Sequence, residues 1–381
     1  KSEKLDDGFY SVAFGKLPTL NENCNFLEGD VIHAIKRKPE RMFYLKTASG
    51  KELKTTHTHP LFASINGKVK AIKIINLKKG DFIATPRKLQ INGEEQLLFT
   101  DIKKGKTNAL HIKIPNIVDD EVARFVGYIL AEGYTRKEQN STYIAFTNSD
   151  KEIVEDLCIL TEKLFGLKTS KKFNKKKNAF EIRASSVELY ELLKENFPEL
   201  LEYSKSKQIN QKILSSKKEV VKNFLKAFIE TEGSIRKTQR TIEVSSASKE
   251  LIENLSLLLA RFEIIGTIKK IQNAATNSKL KIKRDYYRLR IGGKFAEKYV
   301  KEIGFISQRK IVKAKNVILN PKNFNTNIDI VPGIANELLN LRKKLELTQY
   351  EMGVTRAAYQ HYERGERNPS REQLFLIANH L

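Results

Sequence analysis

Two short segments of this sequence carry an acid at the same place in the same apolar pattern. Residues 125–133 read FVGYILAEG and residues 225–233 read LKAFIETEG, so Glu132 and Glu232 each stand directly before a glycine. Side by side at two helix ends, the carboxylates would repel each other and face the negative ends of both helix dipoles, which favours a bound cation. Mg²⁺ suits such a site, because it is held by one or two carboxylates, waters and phosphate oxygens. The simpler alternative is a solvated glutamate before a helix-ending glycine, which is common.

The residues around these acids also predict how the two segments meet. Gly127 and Ala131 lie four positions apart, and so do Ala227 and Thr231. Positions i and i+4 share one face of a helix, so each helix presents small side chains along one seam. Two such helices can approach closely and bring their acidic ends together. Two metal-bound carboxylates beside a basic surface are the components that phosphodiester hydrolysis requires.

The chain as a whole is strongly basic. It has 381 residues, with 69 Lys and Arg against 45 Asp and Glu, and a formal net charge of +24. The hydrophobic share of 40% excludes global disorder, and the length predicts roughly two to four domains. A charge excess of this size predicts a polyanionic partner, first nucleic acid and second an anionic membrane surface. Charge enrichment of the thermophile kind would raise both signs together.

Several classes of protein are excluded or disfavoured. No apolar run approaches the ~18 residues that span a bilayer, so no membrane insertion is expected. The first residues, KSEKLDDGFYSV, contain no hydrophobic signal core and no initiator methionine, which suggests a processed or excised piece. Cys24 and Cys158 form no CxxC motif, which excludes a disulfide scaffold and a cysteine zinc site. This cysteine usage fits a reducing cytosol, so the predicted location is cytoplasmic.

The order of predicted strands and helices along the chain predicts an α+β protein of three parts. Residues 1–99 alternate like short strands, with a hairpin turn at Ser49-Gly50 and further strands over 69–75 and 81–86. After residue 115, one order of elements occurs twice: helix, strand region, helix, two strands, helix. If each strand region is a hairpin, both halves are αββαββα, in a domain with an internal pseudo-twofold. The predicted domains are a β domain at 1–99, a two-repeat domain at 100–318 with halves of about 119–200 and 201–318, a linker at 319–331 and an all-α domain at 332–381.

The two acid-bearing helices resemble the paired motifs of the LAGLIDADG homing endonucleases. Both segments align with the nonapeptide without a gap, and the family's metal-binding catalytic acid falls on Glu132 and Glu232. The family usually has Asp there, and Glu reaches one methylene further. The resemblance implies Mg²⁺-dependent cleavage of both strands of a long asymmetric DNA duplex, by a monomer.

The same resemblance implies further site residues. A basic residue near each metal site would help to polarise the attacking water, and Lys207 (in KQIN) and Lys310 (in GFISQRK) take those places, although either lysine could be ordinary surface charge. The family's strands form two four-stranded saddles in the DNA major groove. That gives a DNA-binding role to residues in or beside the strands, of which only some can touch bases because alternate positions face one side: Arg183, Arg240, Lys269, Lys270, Arg288 and Arg290.

The sequence THTHPL at residues 56–61 resembles a motif of the Hint fold, the splicing domain of inteins. The resemblance implies that Thr56 holds the scissile amide and that His59 donates to it. His57 would be an exposed neighbour, or would pair with His59 as a metal ligand on one side of a strand. The chain lacks the N-terminal Cys or Ser block, the terminal His-Asn and the last Hint strands. A partial, vestigial Hint domain is therefore expected, without splicing by this chain alone.

Residues 337–377 resemble the helix-turn-helix domains of phage repressors of the Cro-like kind. The resemblance implies a structural ion pair between Arg342 and Glu363, and a third helix that enters the major groove. The segment TQYEM, which would be helix 2, is about one turn shorter than usual. The candidate DNA contacts are Gln349, Arg356, Gln360 and His361.

These features together predict an intein-type LAGLIDADG homing endonuclease with a C-terminal helix-turn-helix. Two alternatives stay open. One is a DNA-binding regulator without cleavage, against which the acids in both copies argue. The other is a fragment of a splicing-active intein whose missing termini are supplied by another chain.

Overall fold

The computed structural model describes residues 2–4, 9–12, 16–21, 26–31, 33–35, 41–105, 111–137, 142–274, 282–319 and 328–381. The chain forms two compact units: Lys1–Pro86 together with Asn327–Leu381, and Arg87–Thr326. Most of the linker predicted at 319–331 lies outside the described residues. No helix in the described part is both long and apolar enough to cross a membrane.

The N-terminal part of the smaller unit is built from antiparallel strand pairs. β1 pairs with β2 and β2 with β5, while β3–β4, β6–β7 and β8–β9 are two-stranded. The strands are β1 (Ser2–Lys4), β2 (Phe9–Val12), β3 (Lys16–Leu20), β4 (Phe26–Asp30), β5 (His33–Ile35), β6 (Met42–Lys46), β7 (Glu52–Thr56), β8 (Pro60–Ile65) and β9 (Lys68–Lys73). The turn between β6 and β7 contains Gly50 at a φ of 84°, so the hairpin predicted there is confirmed.

One predicted strand of this part is wrong. Residues 81–86 make only a single bridge, between Ala63 and Ile83, instead of a strand. Gly80, at a φ of 104°, and Pro86 bound the segment on both sides, and proline has no amide hydrogen to extend a ladder.

The larger unit contains two successive groups of elements in one order, helix, two strands, helix, two strands, helix. The first group is α1 (Asp120–Glu132), β10 (Gly133–Lys137), β11 (Thr142–Asn148), α2 (Lys151–Phe165), β12 (Ser170–Asn174), β13 (Ala179–Ser185) and α3 (Val187–Asn196). After the short α4 (Gln211–Leu214), the second is α5 (Lys218–Glu232), β14 (Ser234–Arg236), β15 (Thr241–Ser246), α6 (Lys249–Ala260), β16 (Thr267–Ala274), β17 (Lys283–Gly292) and α7 (Gly293–Glu302), with α8 (Gln308–Val317) after it. The structure thus has the predicted αββαββα order twice.

Each group folds its strands into one antiparallel sheet with the same neighbour order. The orders are β10-β11-β13-β12 and β14-β15-β17-β16. One face of each sheet is apolar and covered by helices: Ile144, Phe146 and Ile182 are buried in the first sheet, and Val244 and Leu289 in the second. Because strand positions alternate between faces, the other face carries a separate set of side chains, called here the polar face of each sheet.

The two groups meet along α1 and α5. A Cβ added at Gly127 of α1 would lie 2.7 Å from the Phe224 carbonyl oxygen and 3.0 Å from the Ala227 Cβ of α5. This contact confirms that the small residues form the seam between the two helices. Because α1 belongs to the first group and α5 to the second, their packing holds the two halves of the larger unit together.

An extended segment before α1 is hydrogen-bonded to both groups of elements. The buried Arg261, which follows α6, donates to the carbonyl oxygens of Ile91 (3.1 Å) and Ser216 (2.8 Å). Asn196, at the end of α3, accepts from the Phe99 amide at 2.7 Å and donates to the Phe99 carbonyl at 2.9 Å. Residues 87–99 therefore lie in the larger unit, not with the β-hairpins that precede them.

The C-terminal part of the smaller unit is helical. It consists of α9 (Ala335–Lys344), a 3₁₀ turn at Gln349–Glu351, α10 (Arg356–Glu363) and α11 (Arg371–His380). These pack around a core of Leu338, Met352, Tyr359, Tyr362 and Ile377. The 3₁₀ turn stands where the short second helix was predicted.

Candidate functional site

Glu132 and Glu232 are the last residues of α1 and α5. Each helix passes into the next strand through a glycine with extended backbone, Gly133 or Gly233. A Cβ at Gly133 would lie 2.5 Å from the Ile129 carbonyl oxygen, so a larger residue would disturb this exit. The paired glycines thus place both carboxylates at the C-terminal ends of two helices that pack against each other.

The two carboxylates form an electrostatically coupled pair. Burial raises the pKa of Glu132, and a hydrogen bond from Asn148 Nδ2 to Glu132 Oε2, 2.7 Å long, opposes that rise. Burial, and next the charge of Glu132, raise the pKa of Glu232 to about 7. Glu232 nevertheless reaches solvent, which is the combination expected on the floor of a concave surface. The pKa values of both carboxylates are therefore raised, and burial is the main cause in each case.

A lysine is attached to the end of each helix. Lys207 Nζ donates to the Leu130 carbonyl at 2.7 Å, and Lys310 Nζ donates to the Gly233 carbonyl at 2.6 Å and to the Glu230 carbonyl. Burial lowers the pKa of Lys207, and it lowers that of Lys310 to about 8. The structure therefore brings both predicted lysines beside the predicted acids. Their predicted part in water activation stays a prediction.

Two residues of this site were missed by sequence reasoning. Asn148, at the end of β11, binds Glu132 as described, and its own side-chain oxygen accepts from the Asp150 amide at 2.8 Å. Glu230, which is buried, accepts from the Ile306 amide (2.6 Å) and from Ser307 Oγ (2.8 Å), just before Lys310. Glu230 thus fixes the segment that carries Lys310. Only its place two residues before Glu232 could have drawn attention to it.

The donor set fits a hard divalent cation with few protein ligands. In the described part of the chain, no group of three or more His, Cys, Asp or Glu side chains is placed to hold a metal ion. The candidate ligands are the two carboxylates, because the helix-end carbonyls accept from Lys207 and Lys310. Mg²⁺ commonly takes one or two carboxylates and completes its shell with water and phosphate. A pair of glutamates fits that requirement, and the metal site itself stays a prediction.

The predicted contacts on the second sheet divide between its two faces. Lys269 lies opposite Arg288 across β16 and β17, and Arg290 lies two positions further along the same polar face. Lys270 points to the other face, where it pairs with Asp285 at 2.7 Å. Of the two adjacent lysines, only Lys269 therefore shares a face with the arginines.

The other two predicted contacts lie in the first sheet and in a turn. Arg183, on β13, is exposed on the polar face, bound to Glu181 with a 2.6 Å bond from Nε and positioned over the Tyr143 ring at 4.7 Å. Arg240 lies at a φ of 50° between β14 and β15. Their contacts with DNA stay predictions.

The helical part of the smaller unit contains the predicted ion pair. Arg342 Nε donates to Glu363 Oε1 at 2.6 Å, and Gln349 Nε2 donates to Glu363 Oε2 at 2.6 Å. Gln349 therefore holds a structural bond in addition to its predicted contact. Arg356 lies over the Tyr350 ring at 5.3 Å, at the start of α10.

Two more residues of α10 were predicted to contact DNA. Gln360 is half-buried, and His361 Nδ1 lies 2.6 Å from Glu366 Oε2. Both therefore keep at least part of their surface exposed, and their contacts stay predictions.

The two residues predicted from splicing chemistry lie near a turn. Thr56 ends β7, and the His59 amide donates to the Thr56 carbonyl at 3.2 Å. His57 and His59 thus lie in the connection before β8 and not on a strand, where the alternative of a metal pair had placed them. Only one residue separates the two histidines, and it lies in a turn. The alternation of side chains along a strand therefore does not apply to them.

Two segments of the larger unit match a model of a known protein family. A family model described as LAGLIDADG-like domain matches residues 119–197 and 219–304, which are the two groups of elements described above. The larger unit contains a LAGLIDADG-like domain. A second family model, described as helix-turn-helix, matches residues 338–381. These two predictions are confirmed, whereas the partial Hint domain stays a prediction.

Curated relatives are much longer than this chain. It is 28% identical over 350 residues to the replication factor C small subunit of Methanocaldococcus jannaschii, covering 91% of this chain and 17% of that protein. It is 27% identical over 336 residues to the DNA-directed RNA polymerase subunit Rpo1C of the same organism, covering 83% of this chain and 36% of that protein. The chain thus spans well under half the length of either relative.

Solved structures give distant likenesses. A structure of mesophilic variants of the homing endonuclease I-DmoI has a TM-score of 0.38 and 17% identity, covering 52% of this chain and 98% of that one. Full-length DUF199/WhiA from Thermatoga maritima has a TM-score of 0.37 and 15% identity, covering 69% and 92%. At these TM-scores, neither structure bears on the activity of this chain.

Proposed function

We propose that this chain is a site-specific homing endonuclease that cuts both strands of a long asymmetric DNA duplex with Mg²⁺. The observation that carries the proposal is the matched pair of helix ends. Each end combines one carboxylate, Glu132 or Glu232, with one lysine bound to the helix carbonyls, Lys207 or Lys310. A DNA-binding protein that does not cut has no need for two coupled carboxylates with raised pKa values, because an uncompensated pair of this kind destabilises the fold.

In this mechanism the protein holds and orients the reacting groups. Glu132 and Glu232 would bind the cations, which supply the positive charge that stabilises the attacking and leaving oxygens. Asn148 holds Glu132 Oε2, and the other carboxylate oxygen of Glu132 would be the one to bind the cation. Lys310, whose pKa burial lowers to about 8, would help to polarise the attacking water or to stabilise the charge of the transition state.

Two surfaces would bind the duplex. The polar faces of the two sheets, which carry Arg183 in the first and Lys269, Arg288 and Arg290 in the second, would lie in the major groove on either side of the cut. The α10 helix would enter the groove at a separate place, as the recognition helix of a helix-turn-helix does. The net charge of +24 supports extensive phosphate contact by a monomer with an internal pseudo-twofold.

We also propose an intein origin. The alignment with replication factor C covers nearly all of this chain and only 17% of that longer protein, which is the relation expected for an element inserted into a host protein. Thr56 and His59 would then be remnants of the splicing site.

The experiment is cleavage by two single variants, on a duplex that the wild type cuts. Glu132→Gln or Glu232→Gln should abolish double-strand cutting in Mg²⁺ and leave binding nearly intact, since affinity comes mostly from phosphate contacts. Glu121→Gln, an acid at the other end of α1 that pairs with Lys163, is the matched control and should cut normally. Normal cutting by either site variant contradicts the proposal. Specific binding without cutting by the wild type, at any Mg²⁺ or Mn²⁺ concentration, would instead support a regulator.

A further inference from the structure

One buried acid on the polar face of the second sheet organises three arginines. Glu243, in the middle of β15, is 4% exposed. Its Oε1 accepts from Arg290 Nε at 2.8 Å and its Oε2 from Arg236 Nε at 3.2 Å. Arg288 Nη1 lies 3.7 Å from the same Oε2. Three positive charges therefore converge on one carboxylate, and the cluster keeps a net positive charge.

Backbone register holds this cluster in place. Glu243 lies opposite Arg290 on one neighbouring strand and opposite Ser234 on the other. Two positions along, Ser245 lies opposite Arg288 and accepts from its Nε at 3.2 Å. The acid and its arginines thus share the polar face because of how the strands pair, and the arrangement does not depend on a single flexible rotamer.

The bonds to Glu243 orient the arginines for a ligand that accepts two hydrogen bonds from one guanidinium group. Arg236 and Arg290 both donate to Glu243 through Nε. The side chains of Arg236, Arg288 and Arg290 remain 55%, 25% and 36% exposed. A guanidinium that is already oriented loses less rotamer freedom on binding. In the major groove, the bidentate partner of arginine is guanine, through O6 and N7.

The first sheet is equipped differently. There Glu181 orients one arginine, Arg183, with a 2.6 Å bond from Nε. The neighbouring positions of that polar face hold Tyr143, beneath Arg183 at 4.7 Å, and Tyr134, 6.5 Å from Tyr143. The first sheet therefore has one arginine held by an acid, Arg183, with Arg136 opposite Tyr143 on the same face, whereas three arginines surround one acid on the second sheet.

We propose that the second sheet reads a guanine-rich half-site and that Glu243 is the positioning residue that orients its arginines towards guanine O6 and N7. The proposal rests on the proposed function, because it takes the polar faces as DNA-binding surfaces. It adds the base chemistry of one half-site and a difference between the two halves.

The test uses the full chain, with EDTA present so that no duplex is cut. A duplex is selected from a randomised library, and each guanine in it is then replaced in turn by 7-deazaguanine, which lacks the N7 acceptor but pairs normally. Wild-type affinity should fall about 5-fold or more at guanines of one half-site. Glu243→Gln should lose this discrimination to within about 2-fold there, while its affinity for random duplex stays equal or rises, since a negative charge near the phosphates is removed. A merely structural role would lower affinity for all duplexes alike.

Matched variants locate the effect and guard against misfolding. Glu181→Gln should alter discrimination only in the other half-site, and Glu253→Gln, an acid of α6 that pairs with Lys249, should alter neither. Arg290→Lys keeps the charge but not the bidentate geometry, so it should lose guanine discrimination even if Glu243→Gln does not fold. A selected site in which neither half depends on guanine N7, or unchanged discrimination in both Arg290→Lys and Glu243→Gln, overturns the inference and leaves the endonuclease proposal standing. If the wild type selects no site at all, the proposed function itself fails.

Discussion

Replacing Gly127 by alanine should destabilise the larger unit, although alanine is the better helix former. A Cβ at this position would lie 2.7 Å from the Phe224 carbonyl oxygen, 3.0 Å from the Ala227 Cβ and 3.3 Å from the Phe228 amide nitrogen. Two of these three atoms belong to the α5 backbone and cannot rotate away. Helix propensity alone favours alanine by about 1 kcal/mol. Forcing one extra methyl into a packed interface costs ~1–3 kcal/mol, and an immobile backbone places this site towards the upper end.

The expected net loss is therefore about 1–2 kcal/mol in the free energy of unfolding. For a unit of this size, that corresponds to a fall in Tm of roughly 2–8 °C. Urea denaturation and thermal unfolding of the wild type, Gly127→Ala and the larger Gly127→Ser should give a graded series. A variant as stable as the wild type, or more stable, would refute the close packing of α1 against α5. Because both acids end these helices, cutting by Gly127→Ala should fall as well.

Three further predictions concern the acids and the helix-turn-helix. The pKa of Glu232 is raised from 4.5 to about 7. At a pH between these two values, the metal-free folded state therefore keeps a proton that the unfolded state has lost. Stability should therefore fall as pH rises through that window, and Glu232→Gln should flatten the Tm profile measured from about pH 4 to 8. Asn148→Ala should reduce cutting and leave duplex affinity unchanged, whereas an equal loss of both would indicate a structural role. The double change of Arg356→Ala with Gln360→Ala should weaken binding and shorten the footprint without moving the cut, and a footprint of unchanged length would contradict contact by α10.

The parts of this molecule that could be predicted are those with local signals. The α1–α5 seam follows from small residues four apart and from a second copy of the same pattern, and the contact of Gly127 with Ala227 confirms it. The doubled αββαββα order follows from helix-ending glycines and alternating strands. Even the shortened turn at Gln349–Glu351 could be expected from the spacing of its neighbours.

The parts that could not be predicted depend on pairing between distant strands. Lys269 and Lys270 are adjacent in sequence, and only the register of β16 with β17 shows that they point to opposite faces. Glu243 is an ordinary acid in TIEVSS until its opposite neighbours on β14 and β17 are known. Asn148 meets Glu132 because β11 returns beside the end of α1. No local pattern contains these contacts.

The charges at the two helix ends explain why the lysines lie where they do. Two carboxylates and the carbonyl ends of two helix dipoles concentrate negative potential at one place, which would destabilise the folded chain if it were uncompensated. Lys207 and Lys310 offset this potential through bonds to the carbonyls, not to the carboxylates. Asn148 binds one of the carboxylate oxygens, Glu132 Oε2, and we propose that the others bind a cation. A direct salt bridge would occupy the carboxylates, so the carbonyl partners of the two lysines support the proposal that Glu132 and Glu232 bind a ligand.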